Sequence, residues 1–201
     1  MKVNFDLKGK AAVITGGGGI LCSEMARGLA SWGVQVAVLD IREDSALKVA
    51  KEIEQSGGEA IAIKADVLNK NSLLEARSRV LEEYGKIDIL INGAGGNRKE
   101  ATTSEEQSFF DLPEDALQWV FNLNFLGSVL ASQVFGEAMV ENKTGSIINI
   151  SSMAAFRPLT KTIAYSAAKA AVTNFTQWLA VHLNQNYSKN LRVNAIAPGF
   201  L

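Results

Sequence analysis

Short apolar runs alternate with longer amphipathic segments along the whole chain. The runs are rich in Val and Ile and stay apolar almost throughout, as strands buried on both faces of a parallel sheet do. They predict strands at 11–15, 34–40, 60–65, 87–92, 146–151 and 192–197. Helical periodicity lies between them at 20–32, 43–56, 69–84, 113–140 and 163–186. This alternation predicts an α/β fold, a doubly wound parallel sheet in a single domain over residues 1–201.

One connection is unusually long and polar. Residues 93–112 (GAGGNRKEATTSEEQSFFDL) follow the fourth predicted strand. Ligands bind at the carboxyl ends of strands in open α/β sheets, and long loops there tend to be functional. The segment is therefore either a binding loop or a mobile surface excursion.

Composition narrows the class of protein. The 201 residues are 47% apolar and 20% charged, with net charge −1, which excludes a disordered chain. A near-neutral chain offers no general attraction for nucleic acid or an anionic membrane, so neither is predicted as a partner. The N-terminal sequence has no apolar signal-peptide core, and no run reaches 18 apolar residues, so no membrane segment is predicted.

Cysteine and histidine are scarce, which limits the metal and redox chemistry available. Cys22 and His182 are the single members of their types. An intramolecular disulfide and a zinc site built on Cys pairs are therefore excluded, and no metal is predicted. A lone cysteine also indicates a reducing compartment, so a cytoplasmic location is expected. Cys22 is either a thiol activated by a helix N-terminus or a small buried apolar residue.

The first strand leads into a glycine run. Thr15-Gly16-Gly17-Gly18-Gly19 precedes a helical segment that starts at Ile20. A strand, a glycine turn and a helix N-terminus together form a phosphate-binding arrangement, because backbone N–H groups face outward without side chains in the way. A simple tight turn is the alternative interpretation.

Two carboxylates and a run of small residues follow the next strands. Asp40 is suited to both ribose hydroxyls of an adenosine and would repel a 2′-phosphate, which favours NAD(H). NADP(H) is not excluded, because Arg42 would soften that repulsion. Asp66, followed by Val67, is placed to hold the adenine amino group, although either aspartate would also serve as a helix cap. Asn92-Gly93-Ala94-Gly95 would let the backbone approach a flat ligand.

The second half of the chain carries candidate acid–base chemistry. Tyr165 and Lys169 are spaced i, i+4 on one face of a predicted helix, where an ammonium would stabilise a phenolate. Ser152 follows the fifth strand and would hydrogen-bond the same substrate oxygen. Asn124 is an amide within an apolar run, and a water chain to Lys169 is one use for it. A plain surface pair is the alternative for Tyr165 and Lys169.

Together these motifs resemble the short-chain dehydrogenases/reductases over essentially the whole chain. The resemblance implies a Rossmann-type sheet and a nicotinamide cofactor. It implies that Tyr165 donates or accepts the proton, that Lys169 assists it and holds the nicotinamide ribose, that Ser152 orients substrate and that Asn124 supports a proton relay. The implied cofactor-binding residues are Thr15, Gly16, Gly18, Gly19, Ile20, Asp40, Asp66, Val67, Asn92, Gly93, Ala94, Gly95, Tyr165, Lys169, Pro198 and Gly199.

Two departures from the family pattern leave the cofactor geometry open. Ile20 and Cys22 stand where the family has its later glycines, and Asn92-Gly93 replaces the commoner Asn-Asn pair. Members also continue past the Pro-Gly pair with a substrate-covering segment and a last strand. The resemblance thus implies that a chain ending at Leu201 lacks the family's C-terminal segment.

Four segments resemble the D-mannonate oxidoreductase (fructuronate reductase) subgroup: 15–30 (TGGGGILCSEMARGLA), 91–103 (INGAGGNRKEATT), 121–127 (FNLNFLG) and 149–182 (NISSMAAFRPLTKTIAYSAAKAAVTNFTQWLAVH). This implies a sugar-acid substrate, D-fructuronate or D-mannonate, which needs a cation for its carboxylate and polar groups for its hydroxyls. Asn97, Arg98 and Arg157 are the candidate substrate residues, with Arg98 or Arg157 on the carboxylate. Solvated surface charge is the alternative interpretation of each cation.

Other functions stay open from the sequence. They are reduction of another polyol, keto-sugar acid or 3-oxoacyl substrate, and nucleotide binding without catalysis. An acyl substrate would need an apolar groove, against which the basic loop argues. Trp119, Phe175, Trp178 and His182 are interpreted as packing residues on helix faces. The family resemblance implies a homo-oligomer, a dimer or a tetramer, formed through two long helices.

Overall fold

A computed structural model describes residues 6–157 and 159–199. Six parallel strands form one sheet in the order β3-β2-β1-β4-β5-β6. They are β1 (Ala11–Thr15), β2 (Gln35–Asp40), β3 (Glu59–Lys64), β4 (Ile89–Asn92), β5 (Gly145–Ile150) and β6 (Leu191–Ile196). Every predicted strand is present, with its ends within two residues of the prediction. The predicted doubly wound sheet is confirmed, and the chain order reverses direction between β1 and β4.

Helices cover both faces of the sheet. They are α1 (Ile20–Ser31), α2 (Glu43–Gln55), α3 (Lys70–Tyr84), α4 (Glu114–Phe121), α5 (Gly127–Glu141) and α6 (Ile163–Asn186). Apolar side chains of α1 and α2 fill one face, and those of α3, α5 and α6 fill the other. β1 and β4 are buried at every residue, as a strand covered on both sides must be. The prediction of burial on both faces is wrong for the edge strands β3 and β6, where exposed positions remain because the helices cover the sheet less completely at its edges.

The helix predicted over 113–140 is interrupted. It begins at Glu114 and contains a π-helical turn over Asn122–Leu126 between α4 and α5. The side-chain amide of Asn124 donates to the carbonyl of Val120 at 2.8 Å. That carbonyl would accept the backbone N–H of residue 124 in a regular α-helix, so the side chain competes with the ladder. The irregular turn puts Asn124 at the end of β4, where the site lies.

The connection over 93–112 is anchored to the body of the protein. It contains two short 3₁₀ turns, Lys99–Ala101 and Phe109–Asp111. Ala101 is fully buried, and the backbone N–H of Thr103 donates to the Lys161 carbonyl at 3.0 Å. This hydrogen bond joins the connection to the segment that precedes α6. The terminal residues, on which the expectations about a leader and a missing C-terminal segment rest, lie outside the described residues.

Candidate active site

The glycine run between β1 and α1 is a turn that side chains would block. Gly16 has φ +63°, and a Cβ there would lie 2.8 Å from Ala94 Cα. A Cβ on Gly17 would lie 2.7 Å from Val38 Cγ1. Gly19 is the N-cap of α1, with no side-chain cap and no acidic residue in the first turn. The α1 N-terminus therefore keeps backbone N–H groups for an anion.

Asp40 lies at the end of β2, beside the glycine turn. It is 7% exposed, and its Oδ2 accepts the Gly18 N–H at 3.1 Å while its Oδ1 accepts the Arg42 N–H at 3.0 Å. Arg42, not Asp40, is the N-cap residue of α2, so the helix-cap alternative is wrong for Asp40. The guanidinium of Arg42 is mostly exposed, with Nε 3.8 Å from the Asp40 carboxylate.

Asp66 lies beside Asp40, after β3. Its Oδ1 accepts the backbone N–H of Leu68 at 2.9 Å. The helix-cap alternative is wrong here too, since Asn69 caps α3 by accepting the N–H groups of Asn71 and Ser72. Asp66 therefore belongs to the turn at the carboxyl edge of the sheet.

A cleft of about 360 Å³ opens between these turns. The predicted cofactor residues that line it are Gly16, Gly19, Ile20, Asp40, Asp66, Val67, Gly93, Ala94 and Gly95. Its remaining lining residues are Leu21, Cys22, Ile41, Arg42, Ala65, Leu123 and Ile150. The predicted cofactor residues outside this lining are Thr15, Gly18, Asn92, Tyr165, Lys169, Pro198 and Gly199. The sequence motifs therefore indicated where the cleft lies. They did not distinguish the residues that line it from those that lie outside the lining.

Thr15 and Asn92 lie behind the wall of the cleft. The Thr15 hydroxyl is buried and accepts the N–H groups of Gly93 at 3.1 Å and Ala94 at 3.3 Å. The Asn92 amide is also buried, and its Nδ2 donates to the Asn149 side chain and to the Ser132 hydroxyl. These two residues position the strand end that lines the cleft.

The two departures from the family pattern meet in space. Cys22 in α1 is 4% exposed, and a Cβ on Gly93 would lie only 2.0 Å from its Sγ. The cysteine side chain thus occupies room that the glycine leaves free. Burial raises the pKa of the thiol to about 11, so the alternative of an activated thiol is wrong. Ile20, the first residue of α1, is 87% exposed at the mouth of the cleft.

Tyr165 and Lys169 share one face of α6, as predicted. The Lys169 Nζ lies 5.5 Å from the centroid of the Tyr165 ring and donates to the Ile150 carbonyl at 2.7 Å. Lys169 is 5% exposed, and burial lowers the pKa of its ammonium to about 8. A lysine that is buried and has its pKa lowered in this way marks a candidate functional group.

Ser152 and Asn124 lie on other elements. Ser152 follows β5 and begins a 3₁₀ turn, Met153–Ala155, that packs against α6. Asn124 is fully buried, donating to the Gly96 carbonyl at 2.6 Å and accepting the Gly96 N–H at 3.2 Å. A Cβ on Gly95 would lie 2.6 Å from Asn124 Oδ1 and 3.3 Å from Lys169 Nζ. Asn124 and Lys169 therefore meet at Gly95, while the predicted water chain between them stays a prediction.

The three candidate substrate residues have different surroundings. Asn97 is exposed, and its Nδ2 donates to the Thr102 hydroxyl at 2.7 Å. The Arg98 guanidinium carbon lies 3.5 Å from the ring centroid of Trp119. Arg157 is exposed just after the turn that follows Ser152, and its backbone N–H donates to the Met153 carbonyl.

Sequence reasoning missed two residues at this site. Gly96 holds both ends of the Asn124 amide, and Trp119 stacks on Arg98 instead of serving only to pack helices. The glycine pair Gly95-Gly96 was the available signal for the first. A tryptophan three residues before a π-helical turn carried no signal that separates stacking from packing.

A separate apolar face lies on α5 and α6. A continuous ladder of rings runs along it, formed by Phe125 from the π-helical turn before α5, by Phe175, Trp178 and His182 from α6, and by Tyr187 just after α6. The His182 ring stacks on Trp178 at 4.8 Å, as a packing residue would. Trp178 and Tyr187 are each more than half exposed, so the ladder borders solvent.

Two further observations concern metals and membranes. Within residues 6–157 and 159–199, no three His, Cys, Asp or Glu side chains gather into a group able to hold a metal. One helical stretch, Glu114–Glu141, is long and apolar enough to cross a membrane by length and composition alone. Of its most apolar window, 56% is buried inside the fold, which is typical of a core helix.

Comparison with known proteins agrees with this geometry. The family model for short chain dehydrogenases matches residues 10–201. An uncharacterised oxidoreductase of Haemophilus influenzae is 50% identical over 98% of this chain and 72% of its own length. The 7α-hydroxysteroid dehydrogenase of Escherichia coli is 35% identical over the same shares.

A solved structure extends the likeness to three dimensions. It is a crystal structure, with bound NAD, of a protein provisionally assigned as a D-mannonate oxidoreductase of Haemophilus influenzae. It superposes with a TM-score of 0.93 at 50% identity, over 98% of this chain and 73% of that one. The chain therefore belongs to the short-chain dehydrogenase family and is an NAD(P)-dependent oxidoreductase.

Proposed function

We propose that this enzyme transfers a hydride between NAD(H) and a sugar acid, interconverting D-fructuronate and D-mannonate. The observation that carries the proposal is the 50% identity, across 98% of the chain, to the NAD-bound Haemophilus protein with that provisional assignment. The other relatives at 35% identity or below act on varied substrates, including a steroid and glycerol. Identity at that lower level therefore does not choose a substrate.

The cleft residues fit a nicotinamide dinucleotide. Backbone N–H groups at the start of α1 suit the diphosphate, and the nearby Asp40 carboxylate suits ribose hydroxyls and repels a 2′-phosphate. Gly93, Ala94 and Gly95 leave a wall without large side chains for the flat ring. The nicotinamide, when bound, supplies or accepts the hydride. NAD(H) is therefore the proposed cofactor.

The acid–base residues act on the substrate oxygen. Tyr165 donates a proton to that oxygen in reduction and accepts it in oxidation. The Lys169 ammonium stabilises the phenolate and donates to the nicotinamide ribose, and Ser152 donates a hydrogen bond to the substrate oxygen. Asn124 fixes the Gly95-Gly96 backbone beside Lys169.

A polar substrate suits the loops beside Tyr165. Arg98 and Arg157 lie on the two segments that flank the site, and Asn97 adds an amide. A hexuronate presents one carboxylate and several hydroxyls, which need charged and polar partners. An acyl thioester would need apolar walls instead, so the 3-oxoacyl alternative is disfavoured.

The test is a cofactor-absorbance assay with a panel of carbonyl substrates. Purified protein is given NADH or NADPH with D-fructuronate, a neutral ketohexose or a 7-oxo steroid. We expect NADH to be oxidised fastest with D-fructuronate and more slowly when NADPH replaces it. Equal or faster turnover of the neutral sugar or the steroid would contradict the sugar-acid assignment.

We infer that the chain assembles as a homo-oligomer through the ladder face on α5 and α6. A groove of about 740 Å³ runs between these helices and is lined mainly by apolar side chains. Exposed apolar patches of this kind mark protein interfaces. Light scattering of purified protein should give at least twice the chain mass. A cytoplasmic location is proposed because the one thiol is free and buried, which fits a reducing compartment.

A further inference from the structure

Arg98 is held in a defined orientation by an aromatic ring. Its guanidinium carbon lies 3.5 Å from the centroid of the Trp119 ring, which is stacking distance. A stacked guanidinium uses its flat face and leaves its N–H edge free, so it retains a fork of donors for a carboxylate. The stack therefore restricts the cation without satisfying its hydrogen bonds.

No internal anion neutralises this cation in the part of the chain that the structure describes. The arginine ion pairs found there join Arg27 to Glu24 and Glu52, Arg77 to Glu137, and Arg42 to Asp40. The lysine ion pairs join Lys10 and Lys86 to Asp88, and none of the pairs involves Arg98. Arg98 is also exposed, so a ligand has access to its N–H edge. An oriented cation without a partner is suited to binding an anion from solution.

The stack lies beside the candidate proton donor. Trp119 from α4 and Tyr165 from α6 pack against the same small cluster of Ala101, Ala116, Val120 and Ala164. On the other side, Gly96 is fixed to Asn124 by two hydrogen bonds, two residues before Arg98. Gly96 before Arg98 and the buried Ala101 after it are thereby both fastened to elements of the site.

We propose that Arg98, positioned by Trp119, receives the carboxylate of the sugar acid and so selects acids over neutral polyols. Arg98 is the specificity residue, and Trp119 is a positioning residue that acts through it. This inference rests on the proposed function for the identity of the sugar acid. It assigns Trp119 a role and chooses Arg98 over Arg157.

The first test measures binding, which does not need turnover. D-Mannonate and the uncharged polyol D-mannitol are titrated calorimetrically into the protein with NADH present, a combination in which no hydride can be transferred. We expect native protein to bind D-mannonate more tightly than D-mannitol. Arg98→Leu should weaken D-mannonate binding roughly 10-fold or more and leave D-mannitol unchanged, because a charge-assisted hydrogen bond is lost.

Variants of Trp119 separate stacking from simple packing. Trp119→Leu should weaken D-mannonate binding roughly two- to fivefold, and Trp119→Phe should restore most of it by keeping a ring face. Lys99→Leu is the matched control, because it removes a neighbouring exposed charge that is not stacked. In steady-state assays, Arg98→Leu should raise KM for D-fructuronate and leave kcat within a few-fold.

The outcomes distinguish this inference from the proposed function. If D-mannonate binding depends on Arg98 but no turnover is seen, the role of Arg98 as the carboxylate-binding residue is supported and the proposed reaction is contradicted. Loss of binding in Arg157→Leu with Arg98→Leu unaffected would overturn the inference and leave the reaction standing. Equal affinity of native protein for D-mannonate and D-mannitol would overturn it as well.

Discussion

The two halves of the carboxyl edge of the sheet are built differently. In the cofactor half, short turns after β1 and β2 are closed by backbone hydrogen bonds, such as Gly17 N–H to the Leu39 carbonyl at 2.9 Å. In the substrate half, the connection 93–112 and the segment before α6 carry exposed side chains such as Arg98 and Arg157. Under the proposed function, the cofactor would be bound mainly by backbone groups and Asp40 at strand ends, whereas the substrate would be bound by side chains on loops.

Removing the Tyr165 hydroxyl should have the largest effect. It should lower the rate of turnover in the substrate half and leave cofactor binding unchanged. Tyr165→Phe keeps the ring and its packing but loses the proton donor, so kcat should fall about 10²- to 10⁴-fold. NADH binding, followed by fluorescence, should stay near the native value. Tyr187→Phe, at the end of α6, is the matched control and should keep native kcat. A native rate in Tyr165→Phe would remove the tyrosine from the mechanism.

Lys169 stands between the two halves and links stability to pH. Its pKa is about 8 in the folded protein against 10.5 as a model value, because burial penalises the ammonium. Between these values the unfolded chain holds a proton that the folded chain has lost, so this residue's contribution to stability rises with pH. The gain approaches about 3 kcal/mol by the upper end of the window.

Urea unfolding of native protein and Lys169→Met measures this contribution. The difference in unfolding free energy between the two proteins should move in favour of the native chain as pH rises from about 8 towards 10.5. Below about pH 8 both states hold the proton and the difference should be flat. A flat difference across the whole window would mean that the lysine is not desolvated.

Two glycines, one in the turn after β1 and one in α1, test how tightly the backbone of the cofactor half is packed. Gly16→Ala places a Cβ 2.8 Å from Ala94 at a φ of +63°, so unfolding free energy should fall by about 1–3 kcal/mol and NADH affinity should drop. Gly28→Ala, in the middle of α1 with open space around it, should be neutral or stabilising by up to about 1 kcal/mol. Similar effects of the two substitutions would contradict a tight first turn.

The contact between Cys22 and Gly93 predicts a smaller, non-additive effect. Gly93→Ala alone should destabilise the fold, because the new Cβ meets Sγ at 2.0 Å. With Cys22→Ala present, the nearest atom of residue 22 is its Cβ at 3.6 Å, an ordinary contact, and only the close approach to the Thr15 carbonyl oxygen at 2.9 Å remains. The double variant should therefore lose about 1 kcal/mol less than the two single losses together. Thermal unfolding of the four proteins gives this cycle, and strict additivity would contradict the packing argument.

Much of the fold was predictable because its signals are local. Apolar runs gave all six strands, and Pro113 followed by Glu114 gave the start of α4. The i, i+4 spacing of Tyr165 and Lys169 needed only a helix to place both on one face. The glycine turn likewise needed only its position after β1.

The remaining features depend on contacts between distant segments. The π-helical turn arises because Asn124 bonds both to Val120 in its own helix and to Gly96 in another connection. The fit of Cys22 into the space at Gly93 joins residues of α1 and the end of β4. The stack of Arg98 on Trp119 joins a loop to a helix. Periodicity and motif spacing contain no information about such pairs.

The transferred hydride itself can be followed with an isotope. Protein is incubated with D-fructuronate and NADH deuterated at the transferable position, and the sugar product is analysed by mass spectrometry. We expect D-mannonate carrying one deuterium on the former ketone carbon, and no labelled product with Tyr165→Phe. Unlabelled D-fructuronate recovered from native protein that binds NADH would contradict the proposed reaction.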